Sequence, residues 1–195
     1  MTYSEYDDFA WVYNKHWGPY ADHAIRILDE LLLKDIPDGA RILDLCCGTG
    51  QLSGKLSARG YQVIGIDSSP GMLRFARENA PEADFIVQDA RKFHSPPIYD
   101  SVISTYDSLN HIMSPEGLAA VFGSVFTALK SGGLFLFDLN TEAGYLHNWH
   151  DGTFGIIEDD HVCIAQLDYD SQEKIAQFDI TIFRLLDGWQ RSDLV

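Results

Sequence analysis

The most chemically loaded stretch of the chain is Asp44-Leu45-Cys46-Cys47-Gly48-Thr49-Gly50-Gln51, an acid followed by two closely spaced glycines. Glycine at positions 48 and 50 lets backbone approach a ligand with no Cβ in the way. A second acid, Asp67, ends the apolar run Val63-Ile64-Gly65-Ile66. A carboxylate there can accept both hydroxyls of a ribose. A third, Asp89, follows Phe85-Ile86-Val87-Gln88. An acceptor at that point can take the exocyclic amine of adenine, while Ala90 offers a backbone N–H to a ring nitrogen. Taken singly, Asp67 and Asp89 read equally well as strand-end turn or cap residues. At the ends of successive strands, with a glycine turn after the first, they point to a nucleoside at the carboxyl ends of a sheet.

The type of nucleoside follows from what is missing. A dinucleotide fingerprint needs a third glycine where this chain has Ser53, with Gly54 one place late. It also needs a pyrophosphate on the helix N-terminus. Asp44 beside the glycines suits a cationic sulfonium and an amino group better. S-adenosyl-methionine is therefore the expected cofactor, and an NAD-binding oxidoreductase is the reading disfavoured.

These residues need a scaffold, and the hydrophobic pattern supplies one. Strands are expected over 41–45, 61–66, 84–88, 99–104 and 134–139, with helices between them. Ser69-Pro70 and Ser114-Pro115-Glu116 are helix starts, and Gly132-Gly133 a helix stop after Lys130. Alternating βα units give an α/β fold, a doubly wound and mostly parallel sheet. Period-two alternation over 161–169 and 174–184, with Ala176, Phe178, Ile180 and Ile182 on one face, adds an antiparallel hairpin. The 195-residue length favours a single domain. It divides into a helical aromatic cap (1–35), a cofactor-binding core (36–140) and an antiparallel lid or extension (141–195).

In the cap, Ser4 and Asp7 resemble a capping box, and Pro19 opens a second helix. Tyr6, Phe9, Tyr13 and Trp17 recur at helical spacing. They read both as a packed face and as an aromatic flap over a ligand.

Composition excludes several partners. Hydrophobic residues make up 46% and charged residues 22%, a globular balance. Twenty-nine acidic against fourteen basic residues leave a net charge of −15, which repels phosphate backbones and anionic lipid. Neither nucleic acid nor a membrane is expected as a partner. The N-terminal residues are acidic without an apolar core, unlike a signal peptide, and no apolar run is long enough for a membrane span. Cys46, Cys47 and Cys163 form no closed disulfide framework, so reduced thiols and a cytoplasmic home are expected. His147 and His150 lack matching ligands, so no metal is expected.

Taken together, these motifs resemble those of class I S-adenosyl-methionine-dependent methyltransferases, specifically the small-molecule branch. The likeness covers roughly residues 40–140. It rests on the Asp44–Gly50 motif, Asp67, Asp89, Val102-Ile103-Ser104-Thr105-Tyr106-Asp107, and Leu129-Lys130-Ser131-Gly132-Gly133. Tyr106-Asp107-Ser108-Leu109-Asn110-His111 and Phe137-Asp138-Leu139-Asn140 fit the small-molecule branch. The resemblance implies a Rossmann-like methyltransferase core and cofactor contacts from Asp44, Cys46, Gly48, Gly50, Asp67, Ser68, Met72, Asp89, Ala90 and Tyr106. It places a small-molecule acceptor near Tyr13, Trp17, Tyr106, Asn110 and His111. His111 is a candidate base for a hydroxyl acceptor, or equally a cap residue, and a dedicated catalytic residue need not exist.

The chain departs from the family at two points. Cys46 stands where a glycine is commonest, and the last two strands of the usual seven-stranded sheet are expected to be absent. The edge of strand five must then be covered either by the hairpin or, in a homodimer, by a second copy of the chain. Ser104-Thr105-Tyr106-Asp107 lacks the Asn/Asp-Pro-Pro-aromatic motif of base and glutamine N-methylation. The expected reaction is N- or O-methylation of a small molecule. The alternative is a non-catalytic cofactor-binding or interaction protein on the same domain.

Overall fold

The computed structural model describes residues 6–149 and 152–194. Two compact units divide the chain, Met1–Leu139 and Asn140–Val195.

The first unit is a five-stranded parallel sheet of order β3-β2-β1-β4-β5. Its strands are β1 (Arg41–Leu45), β2 (Gln62–Asp67), β3 (Asp84–Val87), β4 (Tyr99–Ser104) and β5 (Leu129–Phe137). Its helices are α1 (Tyr6–His16), α2 (Ala21–Leu31), α3 (Gln51–Ser57), α4 (Pro70–Asn79) and α5 (Pro115–Ala128). The order reverses between β1 and β4, so the loops leaving those strands diverge and open a crevice at their carboxyl ends. Alternation along the strands feeds two cores. Ile42, Val63 and Ile103 pack against Ala24, Ile25 and Leu28 of α2 on one face. Leu43, Leu45, Ile66 and Val102 pack against Val121, Val125 and Ala128 of α5 on the other. A strand buried on both faces must be apolar at nearly every position, and Ile42, Leu43 and Leu45 are fully buried.

The serine-proline starts behave as expected. Ser69 Oγ accepts the Met72 N–H at 3.0 Å, and Ser114 Oγ that of Gly117 at 3.1 Å. Pro19 instead opens a short 3-10 turn, Gly18–Tyr20, before α2 begins at Ala21. The proposed Ser4–Asp7 box has its Ser4 outside the described residues. Asp7 reaches another helix: its Oδ1 accepts from Ser69 Oγ at 2.6 Å and from the Gly71 N–H at 2.8 Å. A Cβ on Gly71 would stand 2.8 Å from the Asp7 Cα, so glycine permits this approach.

Strand five differs from the reading by sequence. It starts at Leu129, which pairs with Tyr99, and the register slips before Ser101 pairs with Leu134. The Lys130–Gly133 segment that reads as a turn is an irregularity inside the strand. β5 is the last strand of its sheet, with Leu134 and Phe137 partly exposed.

The second unit is a four-stranded antiparallel sheet preceded by α6 (Glu142–Asn148). The expected hairpin is β7 (His161–Asp170) and β8 (Ile175–Leu185), flanked by β6 (Gly152–Ile157) and β9 (Trp189–Leu194), which the sequence reading lacked. Cys163, Ala165, Ile180 and Ile182 are buried on it. Tyr145 of α6 stacks on Tyr169, with centroids 5.4 Å apart.

Candidate active site

The turn after β1 reverses direction through left-handed backbone. Cys46 has φ +61°, Gly48 +54° and Gly50 +78°. Cys46 thus keeps the conformation that a glycine would adopt easily, at a cost of about 1–3 kcal/mol for a side chain there. At Gly50 the need is steric as well, since a Cβ would lie 2.8 Å from Ala76 of α4.

Asp44 and Asp67 flank this turn. Asp44 is 3% exposed and accepts the Ser53 hydroxyl at 2.6 Å. Burial pushes its pKa up to about 6, against the pull of that hydrogen bond. The place of a third fingerprint glycine is therefore filled by a serine that holds Asp44. Asp67 Oδ2 accepts the Gly48 N–H and Oδ1 that of Ser69, both at 2.9 Å. Burial raises its pKa too, opposed by those backbone donors. A third backbone donor, Ser68, also acts on this carboxylate.

The loop after β4 is also left-handed, with φ +66° at Tyr106 and +48° at Asp107. Its amides are held by a residue that sequence reasoning did not assign to the site. Asp138, just past β5, accepts the Tyr106 N–H at 2.8 Å and the Asp107 N–H at 2.7 Å. Tyr20 donates to the same carboxylate at 3.3 Å and stacks on Tyr106 at 3.9 Å between centroids. The available signal was an acid immediately after an apolar strand, the one that singled out Asp67.

α1 lies over the glycine turn. Tyr13 is 3.5 Å from where a Cβ on Gly48 would stand, and it stacks with Trp17 at 6.1 Å. Asn14 ties the helix down, accepting from Gln51 at 2.7 Å and from Asn79 at 2.6 Å. Burial and the neighbouring acid push the Tyr20 phenol far up, and burial pushes that of Tyr106 to about 12. Both stay protonated donors at neutral pH. Burial likewise raises the Cys46 and Cys47 thiols, which stay neutral.

The structure brings Tyr13, Trp17, Asp44, Cys46 and Tyr106 to one cavity, with Gly48 and Asp67 bonded to each other beside it. Among the described residues, no Lys or Arg lines it. The cavity measures only ≈ 50 Å³, against roughly 300–1,000 Å³ for small-ligand pockets, because aromatic rings fill the crevice.

The remaining candidates are placed differently. Met72 and Ala90 are buried, Ser68 is exposed, and Asp89 is held by Arg91 at 2.7 Å, which lowers its pKa. Asn110 follows Asp107 in a 3-10 turn, its N–H donating to the Asp107 carbonyl at 2.8 Å. His111 ends that turn outside the cavity lining, with the Tyr6 hydroxyl 3.3 Å from its Nε2. The protein packed around it lowers its pKa, favouring neutral imidazole. Among the described residues no cluster could hold a metal ion, and His150 lies outside them. No described helix is long and apolar enough to cross a membrane.

The acids and the left-handed turn fit an adenosine with a cationic substituent. Comparisons with known proteins agree. Residues 42–133 match the family described as "Methyltransferase domain". The Bacillus subtilis protein named "Putative methyltransferase YqeM" is 33% identical over 184 residues, covering 91% of this chain and 72% of the relative. A "Ubiquinone biosynthesis O-methyltransferase" of Xanthomonas campestris is 33% identical over 151 residues, covering 70% of this chain and 61% of the relative. The crystal structure of an S-adenosylmethionine-dependent methyltransferase from Clostridium acetobutylicum superposes with TM-score 0.74 at 24% identity, covering 96% of this chain and 78% of that one, a likeness of fold.

Proposed function

The chain belongs to the class I S-adenosyl-methionine-dependent methyltransferases, and from that premise we infer that it methylates a nitrogen or oxygen of a small molecule. The observation that carries this reading is Asp67 bonded to the Gly48 amide beside a crevice that Asp44 lines. The O-methyl transfer named for the Xanthomonas relative supports a small acceptor. So does the −15 charge, which disfavours nucleic acid.

Asp67 would take the ribose hydroxyls, and Asp44 the amino group. Cys46, Gly48 and Gly50 would present backbone to the cofactor. Asp89 and Ala90 would meet the adenine, flanked by Ser68 and Met72. When bound, the cofactor supplies a methyl group already activated on a sulfonium. What the protein adds is orientation and exclusion of water. Tyr13, Trp17 and Tyr106 wall the crevice and would shape the acceptor site together with Asn110 and His111. Tyr13 and Trp17 wall the room a cofactor would need, so their rings would move to admit it. The tyrosines cannot accept a proton near neutrality, which leaves neutral His111 as the candidate base for a hydroxyl acceptor. The three unpaired thiols suit a reducing compartment.

A thermal-shift screen with S-adenosyl-methionine, S-adenosyl-homocysteine and NAD tests the reading. Stabilisation by the two adenosyl-sulfur compounds and not by NAD is expected. Stabilisation by NAD alone would overturn it.

A further inference from the structure

We propose that Asp138 is a positioning residue that sets the β4 wall of the crevice, and with it Tyr106, by holding two successive main-chain amides. What the crevice holds rests on the methyl-transfer reading above; the geometry of Asp138 does not.

The backbone of Asp138 is tied to β4. Its N–H donates to the Ser104 carbonyl at 3.3 Å, continuing the ladder one step beyond the Ser104–Phe137 pair. From that fixed point its side chain crosses to the next loop, with one oxygen on each of two amides, Tyr106 at 2.8 Å and Asp107 at 2.7 Å.

Both receiving residues are left-handed, a conformation that L side chains avoid. Such backbone persists only when its surroundings over-determine it. Two consecutive left-handed residues aim their N–H groups the same way, and a carboxylate offers two acceptors to match. Asparagine offers one acceptor, and its NH₂ would face the second amide.

A third bond extends the clamp to the ring of Tyr106. Tyr20 donates to Asp138 at 3.3 Å while stacking on Tyr106 with planes 11° apart. Tyr106 is thus fixed at its amide by Asp138 and at its ring by a partner of Asp138. That ring faces the cavity and lies 6.3 Å from Tyr13. Loosening Asp138 therefore moves a wall of the binding crevice rather than a remote surface.

The test is calorimetric titration of S-adenosyl-L-homocysteine into the full chain and into Asp138→Ala, Asp138→Asn and Tyr20→Phe, each with a thermal melt and near-ultraviolet circular dichroism. Ser114→Ala, which removes the cap of α5, is the control for destabilisation alone. Asp138→Ala should weaken binding about 10-fold or more, Asp138→Asn less, and Tyr20→Phe by about 2- to 5-fold, in proportion to the bonds lost. The tyrosine dichroism should change in the same order, and Ser114→Ala should bind as wild type. Wild-type affinity in both Asp138→Asn and Tyr20→Phe overturns the proposal, even if Asp138→Ala fails to fold. An equal loss in Ser114→Ala overturns it as well. Wild-type protein that binds no S-adenosyl-homocysteine overturns the methyl-transfer reading itself.

Discussion

Asp67 and Gly48 are joined by a 2.9 Å hydrogen bond from the glycine amide to the carboxylate. That bond ties the end of β2 to the turn after β1, so the acid that would grip a ribose also sets the shape of the cradle beside it.

Asp67→Ala therefore loses more than a ligand contact. Binding of S-adenosyl-homocysteine should weaken by about 1.5–3 kcal/mol, the range for hydrogen bonds to a charged group, or roughly 10- to 150-fold. The melting temperature should fall too, because the Gly48 and Ser69 amides lose their acceptor. Unchanged calorimetric affinity would remove Asp67 from the site.

Gly50→Ala tests the packing of the turn. The added methyl would meet Ala76 at 2.8 Å in left-handed backbone, and overpacking of that kind costs about 1–3 kcal/mol. For a chain of this size that is a melting shift of roughly 2–12 °C. A melt identical to wild type would mean that α4 yields to the new Cβ.

Asp44 gives a pH dependence of defined sign. Its native pKa, about 6, lies above the ordinary 3.8, so the folded state holds this proton more tightly than the unfolded chain. Its contribution to stability accordingly falls as pH rises from about 4 to about 6 and is level above. A cation bound beside Asp44 favours the ionised form. Affinity for S-adenosyl-methionine should therefore rise with pH through about 6. Asp44→Asn should flatten both profiles. Titrations showing the same slope in wild type and Asp44→Asn would assign the effect elsewhere.

Asp7 latches α1 to the start of α4 through Ser69 and Gly71. Removing a helix-cap acceptor costs about 0.5–2 kcal/mol. Amide exchange in α1 of Asp7→Ala should accelerate by roughly 2- to 30-fold, with β1 and β4 unaffected. Exchange at wild-type rates would mean that Asn14 and the aromatic face alone hold the helix.

The parallel core was legible because its signals are local. Apolar strands, the glycine turn and two serine-proline caps each occupy a few adjacent residues, and β1 and β4 fall where the pattern puts them. Strand five starts earlier than expected because Lys130-Ser131-Gly132-Gly133 has turn chemistry, which pairing with β4 overrides. β6 escaped notice because two glycines interrupt it, and β9 because it is short, exposed and largely polar. Asp7, Asn14 and Asp138 act on residues distant along the chain, and one sequence carries no record of such pairings. Cys46 shows the limit from the other side: its position marked the turn, while only φ shows that a thiol-bearing residue takes the glycine's conformation.

The central claim is that an adenosine bearing a charged sulfur lies across the ends of β1 and β2. A crystal structure with S-adenosyl-L-homocysteine tests it most directly. Ribose hydroxyls are expected within hydrogen-bonding distance of Asp67, the thioether over the turn at Cys46–Gly50, and Tyr13 displaced from Gly48. Clear density for the compound elsewhere, or an undisturbed Tyr13 above an empty turn at saturating ligand, would contradict it.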